Sequence, residues 1–285
     1  MPWLCTFRLR ALLPCLLTLL TAACNAPPAA SSAPDVAGAH PLPADVTSIS
    51  ALAEEGRGES YEFHIRYPDL PPEWSALIQA LHAYAAQRKQ EFLDALPAPA
   101  ERTASTPPAA LDLEFDIARR TEDFVSVLAR ETMHSSTDTA PRIASFVMRT
   151  TDGKILSIVD LFATPDAALQ ALSDESRRQL EGRYEASLRQ SAGDGNAPAP
   201  SLKRMQEGVQ RGTQASVGNF SVFFIDGIDS KAIGLTLIFP QAQLAATSGG
   251  EQQVEVPAKV FYHLLKPEYR DAFAIDTAEL KPGVR

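Results

Sequence analysis

The sequence predicts an α+β fold: an antiparallel β-sheet with hairpins, on which two long helices and a short C-terminal helix pack. Three observations carry this. Apolar and polar residues alternate strictly in Tyr61-Glu-Phe63-His-Ile65-Arg-Tyr67 and in Leu111-Asp-Leu113-Glu-Phe115-Asp-Ile117, the period of half-buried strands. Asp152-Gly153 sits between two apolar runs as a hairpin turn. From about Pro72 to Leu96, and again from about Asp166 to Gln190, apolar residues recur at helical spacing.

The N-terminus precedes any of these elements. Arg8 and Arg10 lead into an uncharged apolar stretch from Ala11 to Ala23, the layout of an export signal. A membrane span takes about 20 apolar residues, so this stretch is too short, and Pro14 interrupts it. Leu20-Thr21-Ala22-Ala23-Cys24 resembles the lipobox of bacterial lipoproteins. That resemblance implies cleavage before Cys24, lipidation of Cys24 with acyl chains such as palmitate, and tethering to a membrane. Asn25 in place of Asp implies the outer membrane, facing the periplasm. An ordinary signal peptide cut after the small residues would leave Cys24 incidental.

Cys5 and Cys15 fall in the signal segment 1–23, so Cys24 is the sole cysteine of the mature chain. No cysteine is left for a disulfide or a thiolate metal site. Loss of Arg8 and Arg10 moves the formal charge from −9 to −11, which argues against nucleic acid as a partner.

Residues 24–58 are rich in Pro, Ala and Ser and read as a disordered tether with a reach of about 30 Å. A small strand-and-helix part follows over 59–100. Its helix carries Trp74, Leu77, Ile78, Leu81, Tyr84, Ala85, Phe92 and Leu96 on one stripe, with His82 on the flank. The main α+β domain spans 109–270. Its first strands are Leu111 to Ile117, Phe124 to Ala129, Ile143 to Arg149 and Ile155 to Ile158. A helix with Leu169, Leu172, Leu180, Tyr184 and Leu188 comes next, then a short helical piece near Leu202 to Val209. Two strands, Asn219 to Ile225 and Ala232 to Phe239, flank a turn expected at Asp226-Gly227. Val254-Glu-Val256-Pro257 runs into a brief helix from Ala258 to Leu265, and 271–285 forms a C-terminal tail.

The run Ala144-Ser-Phe146, Asp152-Gly153-Lys154-Ile-Leu and Val159-Asp160-Leu161-Phe162 resembles the RsiV-like domain family. Asn219-Phe220, Phe239-Pro240-Gln-Ala-Gln-Leu and Val254-Glu-Val256-Pro257 follow in the family's order. This is the C-terminal domain shared by the lysozyme-sensing anti-sigma factor RsiV and the peptidoglycan deacetylase PdaC. The resemblance implies an envelope location and an α+β fold, and supplies no catalytic residue. Where the family shows Gly-Gly-Ala-His, this chain has Ser135-Ser136-Thr137-Asp138.

Chemistry is sparsely signalled. His134, Ser135, Ser136 and Asp138 adjoin in sequence, but nucleophile, base and orienting group must face one another, so a polar loop is the simpler reading. His40, His64, His82, His134 and His263 contain no pair at metal-ligand spacing on a helix. Asp226-Gly227-Ile228-Asp229 has too few oxygen ligands for calcium. Asp112, Glu114 and Asp116 alternate along one strand and so share one face. The expected function is therefore non-enzymatic: binding of a cell-wall component or a lysozyme-like protein, without a cofactor. Asp112, Glu114, Asp116, His134 and Asp138 are the candidate partner-binding residues. A wall hydrolase or deacetylase with an unrecognised site, and a scaffold in outer-membrane assembly, are the alternatives.

Overall fold

Six strands and a long helix account for the first half of the folded chain. The computed structural model describes residues 53–96, 108–134, 139–192, 199–228, 230–244 and 250–275. The signal segment, Cys24, the tether up to residue 52, Ser135 to Asp138 and residues 276–285 lie outside these.

Strands β1 (Ala53–Arg57), β2 (Tyr61–Arg66), β3 (Ala109–Arg120), β4 (Phe124–His134), β5 (Thr139–Arg149) and β6 (Ile155–Leu156) form one sheet in chain order. Every neighbouring pair is antiparallel except β2 and β3. Those two run parallel because helix α1 (Ser75–Asp94) lies between them as a crossover. The parts expected over 59–100 and 109–270 therefore share one sheet and one compact unit.

Helix α1 is entered through a single 3-10 turn, Pro72–Trp74, where proline's fixed φ suits a first helical position. It buries Leu77, Leu81, Ala85, Arg88 and Phe92, the face at three- and four-residue spacing, against one side of the large sheet. The alternation of β3 sends Leu111, Leu113 and Phe115 to the same side. Each of these large apolar side chains contributes about 1.5–3 kcal/mol by leaving water.

A second sheet, β7 (Phe223–Ile228), β8 (Lys231–Phe239) and β9 (Gln252–Pro257), packs on the opposite side of the large sheet. Leu128 meets Phe224 and Ile238 there. The two sheets are also sewn together: Ile225 N–H donates to Ser126 Oγ at 3.2 Å, and Phe223 N–H to Ser145 Oγ at 2.9 Å. Helix α2 (Pro165–Ala192) covers the far face of the small sheet with Leu169, Leu172 and Leu180. It also closes the outer edge of β9, since Gln179 donates to Glu255 O and Arg183 to Gln253 O, each at 2.7 Å. Helix α3 (Ala199–Gly212) and the short α4 (Gln241–Leu244), α5 (Ala258–Phe261) and α6 (Pro267–Arg270) complete the core.

The Asp152-Gly153 hairpin forms as expected: Gly153 has φ 70°, and Arg149 N–H reaches Lys154 O at 2.9 Å. Asp160-Leu161-Phe162 is a structural corner. Asp160 accepts from Ser157 N at 2.9 Å and from Lys154 Nζ at 3.2 Å, while Lys266 N–H donates to Leu161 O at 2.9 Å.

Four expectations are corrected. Ala53–Arg57 is a strand although it lies at the end of the expected tether. It pairs with β2, and its glycine sits flat beneath an aromatic: a Cβ on Gly56 would lie 2.3 Å from the Phe63 ring. Asp226-Gly227 is not the turn, because β7 runs on to Ile228 and the pairing register shifts between these two residues. Gly227 is required there by a close approach, a Cβ falling 2.2 Å from Thr121 Cγ2. The helical piece near Leu202 to Val209 extends over the whole of α3. The helix expected from Ala258 to Leu265 breaks into α5 and a 3-10 turn, Tyr262–Leu264, with α6 beyond it.

Candidate functional site

The small sheet covers only part of its side of the large sheet. Beyond it, β1 to β4 present alternate residues to solvent in rungs fixed by the strand register. One rung holds Arg57, Glu62, Ala110 and His134; the next holds Glu55, His64, Asp112 and Thr132. The third holds Ala53, Arg66, Glu114 and Arg130, and Asp116 follows further along β3. Glu55, Arg57, His64, Arg66, Asp112, Glu114, Asp116, Arg130 and His134 are all exposed.

Four of the five predicted partner-binding residues are accounted for by this face. Asp112, Glu114, Asp116 and His134 share it, because all four occupy the same phase of paired antiparallel strands. Asp138 lies outside the described residues. Sequence alone missed the arginines on the flanking strands. Arg66 Nε lies 3.8 Å from Glu114 and Arg57 Nη2 lies 3.2 Å from Glu62. Arg130 Nη2 lies 3.9 Å from Glu251, and His64 Nδ1 3.8 Å from Glu55. The surface is thus a ladder of alternating charge with an acidic excess rather than a uniform acidic plate. Asp112 and Asp116 have no ion-pair partner among the described residues.

At the edge of this sheet β1 is clasped to α1. Glu54 accepts from Tyr67 Oη at 2.7 Å and from Lys89 Nζ at 2.6 Å, and His82 Nδ1 stands 3.9 Å away. The Tyr67 and His82 rings pack with centroids 4.3 Å apart. Burial works to raise the Glu54 carboxyl, but the bonds from Lys89 and Tyr67 prevail and hold it below the ordinary value. Burial pushes the His82 imidazole down and the Tyr67 phenol up. A small apolar crevice lined by Tyr67, Pro68, Leu70, Ile78 and Leu81 adjoins His82, too narrow for a ligand.

A second feature lies between α2 and the small sheet. It is an open cleft of about 440 Å³ lined by Glu175, Arg178, Gln179, Asp226, Gly234 and Glu255. Burial raises the Asp226 carboxyl above the usual carboxylate range, opposed by donation from Thr236 Oγ1 and by Arg119 at 3.4 Å. Its sequence signal is a carboxylate closing the apolar run Phe223-Phe224-Ile225, a pattern that a turn at Asp226-Gly227 would equally produce.

No group of three or more potential metal-ligating side chains occurs among the described residues. None of the described helices is long and apolar enough to cross a membrane.

Among solved structures, the chain resembles a DUF3298 family protein from Pseudomonas aeruginosa PAO1. The TM-score is 0.50 at 15% identity, covering 76% of this chain and 94% of that one. The two share a fold. A DUF3298 family member from Bacteroides fragilis matches at TM-score 0.48 and 12% identity, covering 77% of this chain and 94% of that one. No family model and no curated protein matches the sequence.

Proposed function

We propose that the mature chain is a membrane-anchored periplasmic lipoprotein, non-enzymatic, that binds a cell-wall component or a lysozyme-like wall-acting protein. The observation that carries this reading is the uncovered face of the large sheet. It is a platform of paired strands displaying five carboxylates, Glu55, Glu62, Asp112, Glu114 and Asp116, against three arginines, Arg57, Arg66 and Arg130. Rigid strands hold the charges at fixed spacing, and an acidic excess draws a basic partner by long-range attraction, raising its association rate at low salt. Support also comes from the fold, because the C-terminal domain of RsiV is of DUF3298 type. The lipobox-like Leu20 to Cys24 supplies the anchor, and residues 25–52 the reach.

Two experiments test it. Cys24→Ser should move the protein from the membrane fraction to the soluble periplasmic fraction; unchanged fractionation would remove the lipid anchor from the account. The purified mature chain carrying Cys24→Ser should retain lysozyme or peptidoglycan fragments in a low-salt pull-down. Retention no greater than that of a charge-matched control protein would remove the binding role.

A wall hydrolase or deacetylase is the second reading, and the cleft at Asp226 favours it over the loop at His134. Burial at Asp226 favours the protonated form of the carboxyl, the direction that suits a general acid. Peptidoglycan turnover abolished by Asp226→Asn would establish that reading in place of the first.

A further inference from the structure

The last described residues bring the chain to the lip of the cleft at Asp226. After α6 the chain runs beside the start of β8: Ala232 N–H donates to Ala272 O at 2.9 Å, and Ala274 N–H to Ala232 O at 2.8 Å. Phe273 thus stands next to Ala232 in a parallel bridge, on the flank of β8 that β7 does not occupy. Two residues further along β8 the same flank is taken by β9, whose Pro257 is paired with Gly234. A chain running parallel to β8 has no place in the sheet beyond that point, so it must turn out at Ile275.

The way inward is closed, because Phe273 packs against Phe124 and edge-on against the buried Phe261. The way left open is the cleft, which Ile233, Gly234 and Pro257 line beside the exit. Ile275 is itself 53% exposed. The residues that follow are Asp276-Thr-Ala-Glu279-Leu280-Lys281-Pro-Gly-Val-Arg285.

We propose that this C-terminal segment, 276–285, is the occupant of the cleft, with Leu280 against Ile233 and Pro257 and Lys281 on the carboxylate of Glu255. Reach allows it. Six residues of extended chain from Ile275 to Lys281 span up to about 20 Å, whereas Glu255 lies two residues along β9 from Pro257, about 7 Å.

Charge selects the same residue. Of the carboxylates that line the cleft, Glu175 is bound by Arg178 and Asp226 by Arg119. Glu255 is exposed and has no ion-pair partner among the described residues. Lys281 supplies that partner, and Glu279 falls to the exposed guanidinium of Arg178 on the α2 wall. Gly234 puts no side chain in the way. Seated so, the segment bars the cleft, and a ligand for Asp226 must first displace it. The charged face of the large sheet is untouched by this arrangement, so the proposal stands or falls apart from partner binding there.

The test uses the mature chain with Cys24→Ser, which contains no other cysteine. Leu280→Cys is combined either with Ile233→Cys in the cleft or with Ser230→Cys on the neighbouring turn, and each pair is exposed to mild oxidant in dilute solution. Ser230 is the more exposed of the two positions, so random collision within the chain favours it. Seating in the cleft should instead make the disulfide between residues 233 and 280 form roughly tenfold faster, or more, than that between 230 and 280. Glu255→Lys should abolish the preference, and adding Lys281→Glu should restore it. Equal rates, a faster reaction at Ser230, or a preference that Glu255→Lys leaves intact would overturn the proposal. Disulfide-linked dimers in place of the intramolecular bond would overturn it as well, by giving the cleft to the tail of a second copy.

Discussion

The guanidinium of Arg88 on α1 grips the carboxylate of Glu131 on β4 through two parallel hydrogen bonds, Nε to Oε2 at 2.6 Å and Nη2 to Oε1 at 2.8 Å. Both side chains are buried, 6% and 1% exposed, and Arg88 also contacts Glu91 one turn along the helix. The pair locks the register of α1 on the sheet, because a one-residue slip would strand a charge in the core around Phe92 and Leu113.

Removing Arg88 leaves the Glu131 carboxylate buried without the two hydrogen bonds that hold it. Arg88→Ala should therefore cost about 3–5 kcal/mol of stability, read by urea unfolding. Replacing both, as Arg88→Met with Glu131→Leu, should recover most of that loss. If the double variant is no more stable than the single one, the ion pair is not the source of the cost.

Gly56 should not tolerate a side chain. The Phe63 ring occupies the space of its Cβ, so Gly56→Val should force β1 from the sheet edge at a cost of about 1–3 kcal/mol. Hydrogen exchange should show lost protection in β1 and β2 with β4 and β5 unchanged. Uniform loss across both sheets would mean that β1 is integral to the global fold.

Acid should loosen the same strand. Glu54 has a depressed folded pKa, so its contribution is present above the unfolded value and lost as pH falls through the folded one. His82 is also depressed, by burial, so its stabilising neutral form is lost as pH falls below about 6.5, its unfolded value. Both signs agree: the protection of β1 against hydrogen exchange, taken relative to the intrinsic rate at each pH, should fall between neutral and mildly acid pH, and His82→Gln should remove the upper part of that fall. A β1 protected equally at both pH values would contradict the clasp.

How much of this was legible in sequence depended on how local the cause was. The Asp152-Gly153 hairpin and the exposed phase of Asp112, Glu114 and Asp116 follow from a turn dipeptide and a period of two, both readable within a few residues. Strand β1 was not legible. Ala53-Glu-Glu-Gly-Arg57 contains no large apolar residue, and its order comes from Phe63, Tyr67 and Lys89, which lie elsewhere in the chain. Arg88 sits in the apolar stripe of α1 at a position where a charge argues for exposure, and only Glu131, forty-three residues on, reverses that. The charged face was half legible: β3 supplied its acids, but the parallel pairing that brings Arg66 beside Glu114 spans the whole of α1.

That face should also govern association kinetics. Asp112→Asn, Glu114→Gln and Asp116→Asn together remove three negative charges at exposed positions, so folding stability should change by less than about 1 kcal/mol. The association rate with a basic partner should fall, and its salt dependence should flatten. An unaltered salt dependence would locate the interface elsewhere.

The most direct measurement is hydrogen exchange on the mature Cys24→Ser chain with and without saturating lysozyme at low ionic strength. New protection should appear in β2, β3 and the His134 end of β4, with α2 and the Asp226 cleft unchanged. Protection confined to α2, β7 and β9, or none anywhere, would contradict it.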